Sequence, residues 1–436
     1  MNILSITAGA AGMYCGSCLR DNALAVELLR RGHRVTLLPL YTPTSPDETN
    51  VSHRRVLFGG ISVYLQQYVP FFRRSPKWLD ALLDAPWLIK TLASRSTSTD
   101  PKLLGDMTIS MLEGDHGVLR KEFGKLLTWI ADEPVPDVIN LPNSLLIGLA
   151  RPLKRALGRP VCCTLQGEDL FLNELIEPYR TQAIELIQRQ VREVDRFLPV
   201  SEAYVPVMSS MLAIPRDRMS VVPLGINLTG FARRERHGDP FRVGYFARIA
   251  PEKGLHVLAD AYVRLRRRVP QARMRLDAAG YMWPAQAPYL AEVKARLRGA
   301  GLADEFMYHG SVDRDGKLEF LRSLDVLSVP TPYDEPKGVF VLEAMAEGVP
   351  VVQPRRGAFT EMIEKTGGGL LVPPDDPDAL AGALHDLWAD RALNERLGER
   401  GFDGVRRHYD IARSADRLMA VYSEVTGSSS GSGSRG

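Results

Sequence analysis

Cysteine is scarce. The 436-residue chain holds four, at 15, 18, 162 and 163, too few for disulfides to be its main source of stability. Charge of one sign is also missing: 55 Lys and Arg face 52 Asp and Glu, a net +3. That balance excludes a nucleic-acid binder that works by bulk charge. No uninterrupted apolar stretch approaches the ~18–20 residues of a membrane span. The opening Met1-Asn2-Ile3-Leu4-Ser5-Ile6 lacks the basic segment and long apolar run of a signal peptide and reads as a first buried strand. These absences predict a cytoplasmic protein. What is present, 45% hydrophobic and 25% charged residues, is an ordinary globular mixture, which excludes disordered, collagenous and disulfide-scaffold chains. A single core stops growing near about 250–300 residues, so the length asks for two or three domains.

The first forty residues alternate: strand Ile3–Ile6, a glycine-containing loop, helix Arg20–Arg31 ending at Gly32, and strand Arg34–Leu40. That is a βαβ unit, which implies a parallel sheet with right-handed crossovers. Asp137–Leu141, Pro160–Leu165, Phe197–Val200 and Ser220–Pro223 read as further buried strands, and about 70–130 as a helical insertion. The charged stretch 231–240 (FARRERHGDP) has no periodicity and reads as a linker. Alternation then restarts at Phe241, with helix starts expected near Gly254, Lys317, Gly338, Asp376 and Asn394. The organisation predicted is an N-terminal domain over 1–230, a second over 241–407, a C-terminal helix over 408–427 that crosses back to the first, and a disordered Ser/Gly tail over 428–436. Both domains read as α/β, Rossmann-like, doubly wound parallel sheets. Ligands of such sheets sit beyond the carboxyl ends of the strands, so the site is expected in a cleft between two facing domains.

Two carboxylates, Glu335 and Glu343, flank a strand-to-helix junction, EPKGVFVLE. Pro336 and Gly338 suit an exposed helix start, where the N–H groups of Gly338, Val339 and Phe340 would point at an anion. The bland alternative is a helix with acids at its start. In GYFARIAPEKG, Arg248 follows a strand and Lys253 begins a helix. Two cations there suit a diphosphate, Arg by its fork and Lys as a point charge, although solvated loop charges are the usual fate of both residue types.

Taken in order, GYFARIAPEKG, HGSV, EPKGVFVLEAMAEGVPVV and LLVPPDDPDALA resemble glycosyltransferase family 4, retaining enzymes of the GT-B fold. The resemblance covers the whole second domain and, more loosely, RRGHRVTLL and VVPLGIN in the first. It implies that Arg248 and Lys253 hold the diphosphate of a nucleotide-sugar donor and stabilise the leaving group. Glu343 would bind ribose hydroxyls and Glu335 the transferred sugar, while Gly12 would bring backbone close to the phosphates. The implied mechanism is front-face attack by an acceptor hydroxyl with the departing phosphate as base, needing no cofactor and no metal.

The chain departs from the family where a His commonly contacts the donor sugar. Gln166 stands there, and it can hydrogen-bond but cannot carry a proton or charge. Glu168 and Asp169 beside it are candidates for orienting the acceptor, or for capping the following helix. Cys15-Gly-Ser-Cys18 has the spacing of a redox pair or half a zinc site, and Cys162 and Cys163 are adjacent; small buried thiols are the alternative. In the insertion, Tyr68, Phe71, Phe72, Trp78, Trp87 and Trp129 interleave with Arg73, Arg74, Lys77, Lys90 and Arg95. They read either as a helical core with a solvated face or as a peripheral contact to the inner face of a membrane or a lipid-linked acceptor. Two other functions fit the architecture, a sugar-nucleotide epimerase and a non-catalytic sugar-nucleotide-binding protein.

Overall fold

The computed structural model describes residues 1–9, 16–53, 56, 58, 101–234 and 238–430. Gly12, Cys15 and the insertion residues 68–95 named above lie outside the described residues. The chain divides into two compact units, Met1–Pro223 with Ser414–Gly436, and Leu224–Arg413.

The first unit holds five parallel strands, β1 Asn2–Thr7, β2 Arg34–Pro39, β3 Val138–Leu141, β4 Val161–Leu165 and β5 Arg196–Pro199, in the order β2-β1-β3-β4-β5. Every residue of β3 and β4 is buried, the continuous apolar reading of a strand covered on both faces. Ser220–Pro223, expected as a strand, is not one. Ser220 N–H reaches Phe197 O and Val222 N–H reaches Pro199 O, but a parallel pair must also return a bond from residue 199, and proline has no N–H to give. Helices Pro101–Leu112 and Arg120–Ala131 occupy the described end of the insertion. Trp129 there is 7% exposed and belongs to the core, with Phe58 and Phe123.

In the second unit six parallel strands, β6 Phe241–Phe246, β7 Met274–Ala279, β8 Phe306–Tyr308, β9 Val326–Leu327, β10 Val351–Pro354 and β11 Gly369–Val372, run in the order β11-β10-β9-β6-β7-β8. The order reverses between β6 and β9. Chains leaving those neighbours turn to opposite sides of the sheet, which opens a crevice at their carboxyl ends. Helix Ala287–Gly299, absent from the sequence reading, buries Leu290, Val293 and Leu297 alone.

Residues 231–240 were expected to be a solvated linker, but the described ones belong to the second unit. Phe231 is buried, and the Arg234 guanidinium donates to Asn394 Oδ1 at 2.7 Å and to the Asp325 carbonyl at 3.3 Å. A charged stretch looks solvated when its partners lie far along the chain. The chain passes between units at Pro223–Leu224 and at Arg413–Ser414, next to paired segments in which Ile226 N–H donates to Tyr409 O and Ile411 N–H to Ile226 O. The last helix, Ile411–Ser430, buries Leu418, Val421 and Tyr422 and is tied to the first unit by Arg31–Asp416 at 2.5 Å and Ser414 Oγ to Pro223 O at 2.7 Å. It runs through Ser428–Ser430, where a disordered tail was expected; extending a helix already nucleated costs little per residue. Among the described residues no helix is long and apolar enough to cross a membrane.

Candidate functional site

The segments that follow β6 and β9 bring together Lys253, Glu335 and Gly338, three of the second-unit residues singled out by the sequence. After β6 the chain makes a tight turn, Pro251–Lys253, and enters helix Leu255–Arg268 through Gly254. Gly254 has φ +74°, and a Cβ there would lie 2.0 Å from Pro330 O. Only glycine lets this turn close against the segment that follows β9. Lys253 is thereby delivered to the loop carrying Tyr333 and Glu335.

The three side chains form a knot. Lys253 Nζ donates to the Tyr333 hydroxyl at 2.5 Å and also to Glu335 Oε2. The Tyr333 hydroxyl donates to the same Oε2 at 2.6 Å. Glu335 Oε1 accepts from the backbone N–H of Lys337 at 3.3 Å and of Gly338 at 3.4 Å. The Glu335 carbonyl accepts from Ala358 N–H at 2.8 Å, so helix Gly357–Thr366 holds the loop from behind. Gly357 makes that contact possible, since a Cβ there would lie 2.5 Å from Glu335 O. Glu335 is 3% exposed. Burial pushes its carboxyl up, but the Lys253 charge and hydrogen bond, helped by Tyr333 and Lys337, overcome this and hold it down to about 2.

Gly338, at φ +60°, begins helix Val339–Ala346. Its own N–H was expected to be open to an anion and instead faces Glu335 Oε1. Val339 and Phe340 are the first helical positions, whose N–H groups have no intrahelical acceptor. One turn on, Glu343 Oε1 accepts from Lys317 Nζ at 2.7 Å, both side chains at most 10% exposed. Arg248, expected to face a diphosphate, pairs with Glu252 at 2.6 Å and is 42% exposed.

In the first unit Gln166, Glu168 and Asp169 follow β4 and are tied to the protein itself. Glu168 Oε1 accepts from Ser144 N–H and Oγ, both at 3.0 Å, and Oε2 from Gln166 N–H at 2.7 Å; burial pushes its carboxyl up against these bonds. Asp169 Oδ1 accepts from the Tyr204 hydroxyl at 2.5 Å, and that oxygen accepts from Gly167 N–H at 3.1 Å. Gln166 Nε2 donates to Pro142 O at 2.8 Å, while its buried Oε1 has no partner among the described residues. Cys162 and Cys163 are fully buried on β4, and burial pushes both thiols up, away from the reactive thiolate.

Residues 230–403 match the family of glycosyl transferases group 1, and residues 22–225 the glycosyl transferase 4-like domain. The chain belongs to glycosyltransferase family 4. The match over 230–403 spans Lys253, Tyr333, Glu335 and Glu343. A phosphatidyl-myo-inositol mannosyltransferase of Mycobacterium tuberculosis (strain H37Rv) is 33% identical over 227 residues, which are 50% of this chain and 57% of that protein. The chain thus spans little more than half the length of such relatives. Among solved structures, sucrose-phosphate synthase from Thermosynechococcus elongatus superposes with a TM-score of 0.71 at 18% identity, over 98% of this chain and 99% of that one. Anabaena HepE in complex with UDP and glucose gives 0.66 at 16% identity, over 97% of this chain and 99% of that one. These likenesses show the GT-B fold.

The motifs named Lys253 and Glu335, which the structure brings together, and Glu343, which it pairs with Lys317. They did not name Tyr333 or Lys317. Tyr333 sits two residues before Glu335, just outside the quoted motif, and a phenol close to a carboxylate was a usable signal. Lys317 lies 26 residues before Glu343, and nothing in the sequence joins them.

Proposed function

We propose that this protein is a retaining glycosyltransferase that moves a sugar from a nucleoside diphosphate sugar to an acceptor hydroxyl. One observation carries the reading: at the switch point of the second sheet, the Lys253 ammonium lies on the buried, ionised Glu335. An ammonium has three N–H groups, and the described contacts use two, so a diphosphate oxygen can take the third. The Val339 and Phe340 amides add donors at a helix start, and Arg248 supplies a further cation once it leaves Glu252. Glu335, held ionised, acts only as an acceptor, and hydroxyls are the donors a sugar offers. Glu343 is the acceptor suited to the ribose. The structure of HepE with UDP and glucose supports a donor of this class.

In this reaction the sugar C–O bond to the diphosphate breaks as the bond to the acceptor oxygen forms on the same face. The leaving phosphate takes the acceptor proton. Lys253 and Arg248 stabilise the charge that grows on the diphosphate, so the reaction needs neither cofactor nor metal, and a chelator leaves its rate unchanged. Gln166 Oε1 is suited to accept from a hydroxyl on the first-unit side. The names of the mannosyltransferase relatives support a sugar acceptor that is lipid-linked, and co-sedimentation with anionic vesicles tests peripheral membrane contact.

The test is incubation with UDP-, GDP- and ADP-sugars, with and without acceptors, followed by assay of free nucleoside diphosphate. Release by the wild type and its loss in both Lys253→Ala and Glu335→Ala are expected. Interconversion of the sugar without release makes the protein an epimerase, and binding without turnover makes it a sensor.

A further inference from the structure

We propose that Tyr333 is a positioning residue of the donor site, holding the Glu335 carboxylate in place when Lys253 turns to the donor's diphosphate. This rests on the glycosyltransferase reading above. In the free protein the site is occupied by itself: Lys253, the cation that would bind phosphate, is bonded to the carboxylate that would bind sugar. A diphosphate carries more charge than one carboxylate and competes for that ammonium. Each step of Lys253 toward phosphate weakens its hold on Glu335, at the moment the carboxylate is needed for the sugar.

Tyr333 supplies the hold that does not leave. Its hydroxyl donates to Glu335 Oε2 at 2.6 Å and accepts from Lys253 at 2.5 Å. The phenol is two residues from the carboxylate on one loop, and that loop is fixed by Thr331 Oγ1 to Tyr333 O at 3.0 Å and by Arg356 Nη1 to Thr331 O at 3.3 Å. Oε1 keeps only the long backbone bonds from Lys337 and Gly338. Without the phenol, a Glu335 that has lost Lys253 is free to rotate on Oε2, and the sugar loses its fixed acceptor.

Tyr333→Phe isolates the hydroxyl, because phenylalanine keeps the ring. The experiment measures three quantities on wild type and variant: melting temperature, affinity for UDP, GDP and ADP by calorimetry, and the rate of nucleoside diphosphate release from the matching sugar donor. A charged hydrogen bond lost in the working state corresponds to a fall in kcat of roughly ten- to a hundredfold. Diphosphate affinity is expected to stay within about twofold, or to tighten because Lys253 is less engaged. A purely structural role would lower the melting temperature without this split. Equal loss of affinity and rate would make Tyr333 a phosphate contact and overturn the proposal, as would an unchanged rate. If the wild type binds none of the three diphosphates, the glycosyltransferase reading falls and takes the proposal with it. Binding by the wild type with an unchanged Tyr333→Phe rate overturns the Tyr333 role alone.

Discussion

Lys317 Nζ lies 2.7 Å from Glu343 Oε1, and the two side chains are 7% and 10% exposed. The pair ties helix Arg314–Arg322 to helix Val339–Ala346. Removing one member of a buried pair leaves the other uncompensated, which costs roughly 3–5 kcal/mol, whereas an apolar pair of similar volume is often close to neutral. Lys317→Met is expected to destabilise by that amount in urea unfolding. The double variant Lys317→Met with Glu343→Leu should recover most of the loss while losing donor binding. A double variant as unstable as the single one would show that the pair is not coupled.

Glu335 predicts an acid limb. Its carboxyl is held down to about 2 against an ordinary 4.5. A group depressed on folding contributes stability above its unfolded value and loses that contribution as pH falls toward its folded one. Its share, on the order of 3 kcal/mol, is therefore complete above about 4.5 and fades between there and about 2. Glu335→Gln should be less stable than wild type at pH 7, and the two should converge as pH approaches 2. Denaturant unfolding at a series of pH values checks this; a gap independent of pH would contradict it.

Gly254→Ala should damage stability and donor site together. The position has φ +74°, and the new Cβ would meet a backbone oxygen, Pro330 O, at 2.0 Å. A backbone atom cannot swing aside as a side chain can. A loss of about 1–3 kcal/mol is expected, with weaker diphosphate binding because the turn carrying Lys253 is displaced. Full affinity at unchanged melting temperature would mean that the turn relaxes without moving Lys253.

The sequence shows what its own periodicity and local chemistry encode. Buried parallel strands announce themselves as apolar runs, so β1, β3 and β4 were found close to their observed ends. The glycine turn after β6 and the EPKG loop after β9 stood out by their residues, while the strand order that makes them neighbours is a property of the fold. Helix Ala287–Gly299 was missed because three buried residues make too thin a stripe. The Ser220–Pro223 strand failed on a partner's chemistry: Pro199 cannot return the bond, and a strand's own residues say nothing about its neighbour. Arg234 read as linker and Lys317 did not register for the same reason, since pairing across 91 and 26 residues is a property of the fold.

Gln166 tests whether the first unit's departure from the family pattern is functional. Its Nε2 satisfies Pro142 O, and its buried Oε1 has no partner among the described residues, an arrangement that costs free energy unless a ligand or water completes it. Gln166→Leu removes both atoms. The orphaned Pro142 carbonyl should cost about 1–3 kcal/mol, partly offset because the unpaired oxygen disappears as well. If Oε1 accepts from a hydroxyl during transfer, the variant should lose rate well beyond what its melting temperature explains, with diphosphate affinity unchanged. Gln166→Glu keeps an oxygen acceptor in that place but cannot donate to Pro142 unless protonated, so it should regain rate without regaining stability. Equal rates for all three proteins at matched folded fraction would assign Gln166 to the loop after β4 and to nothing beyond it.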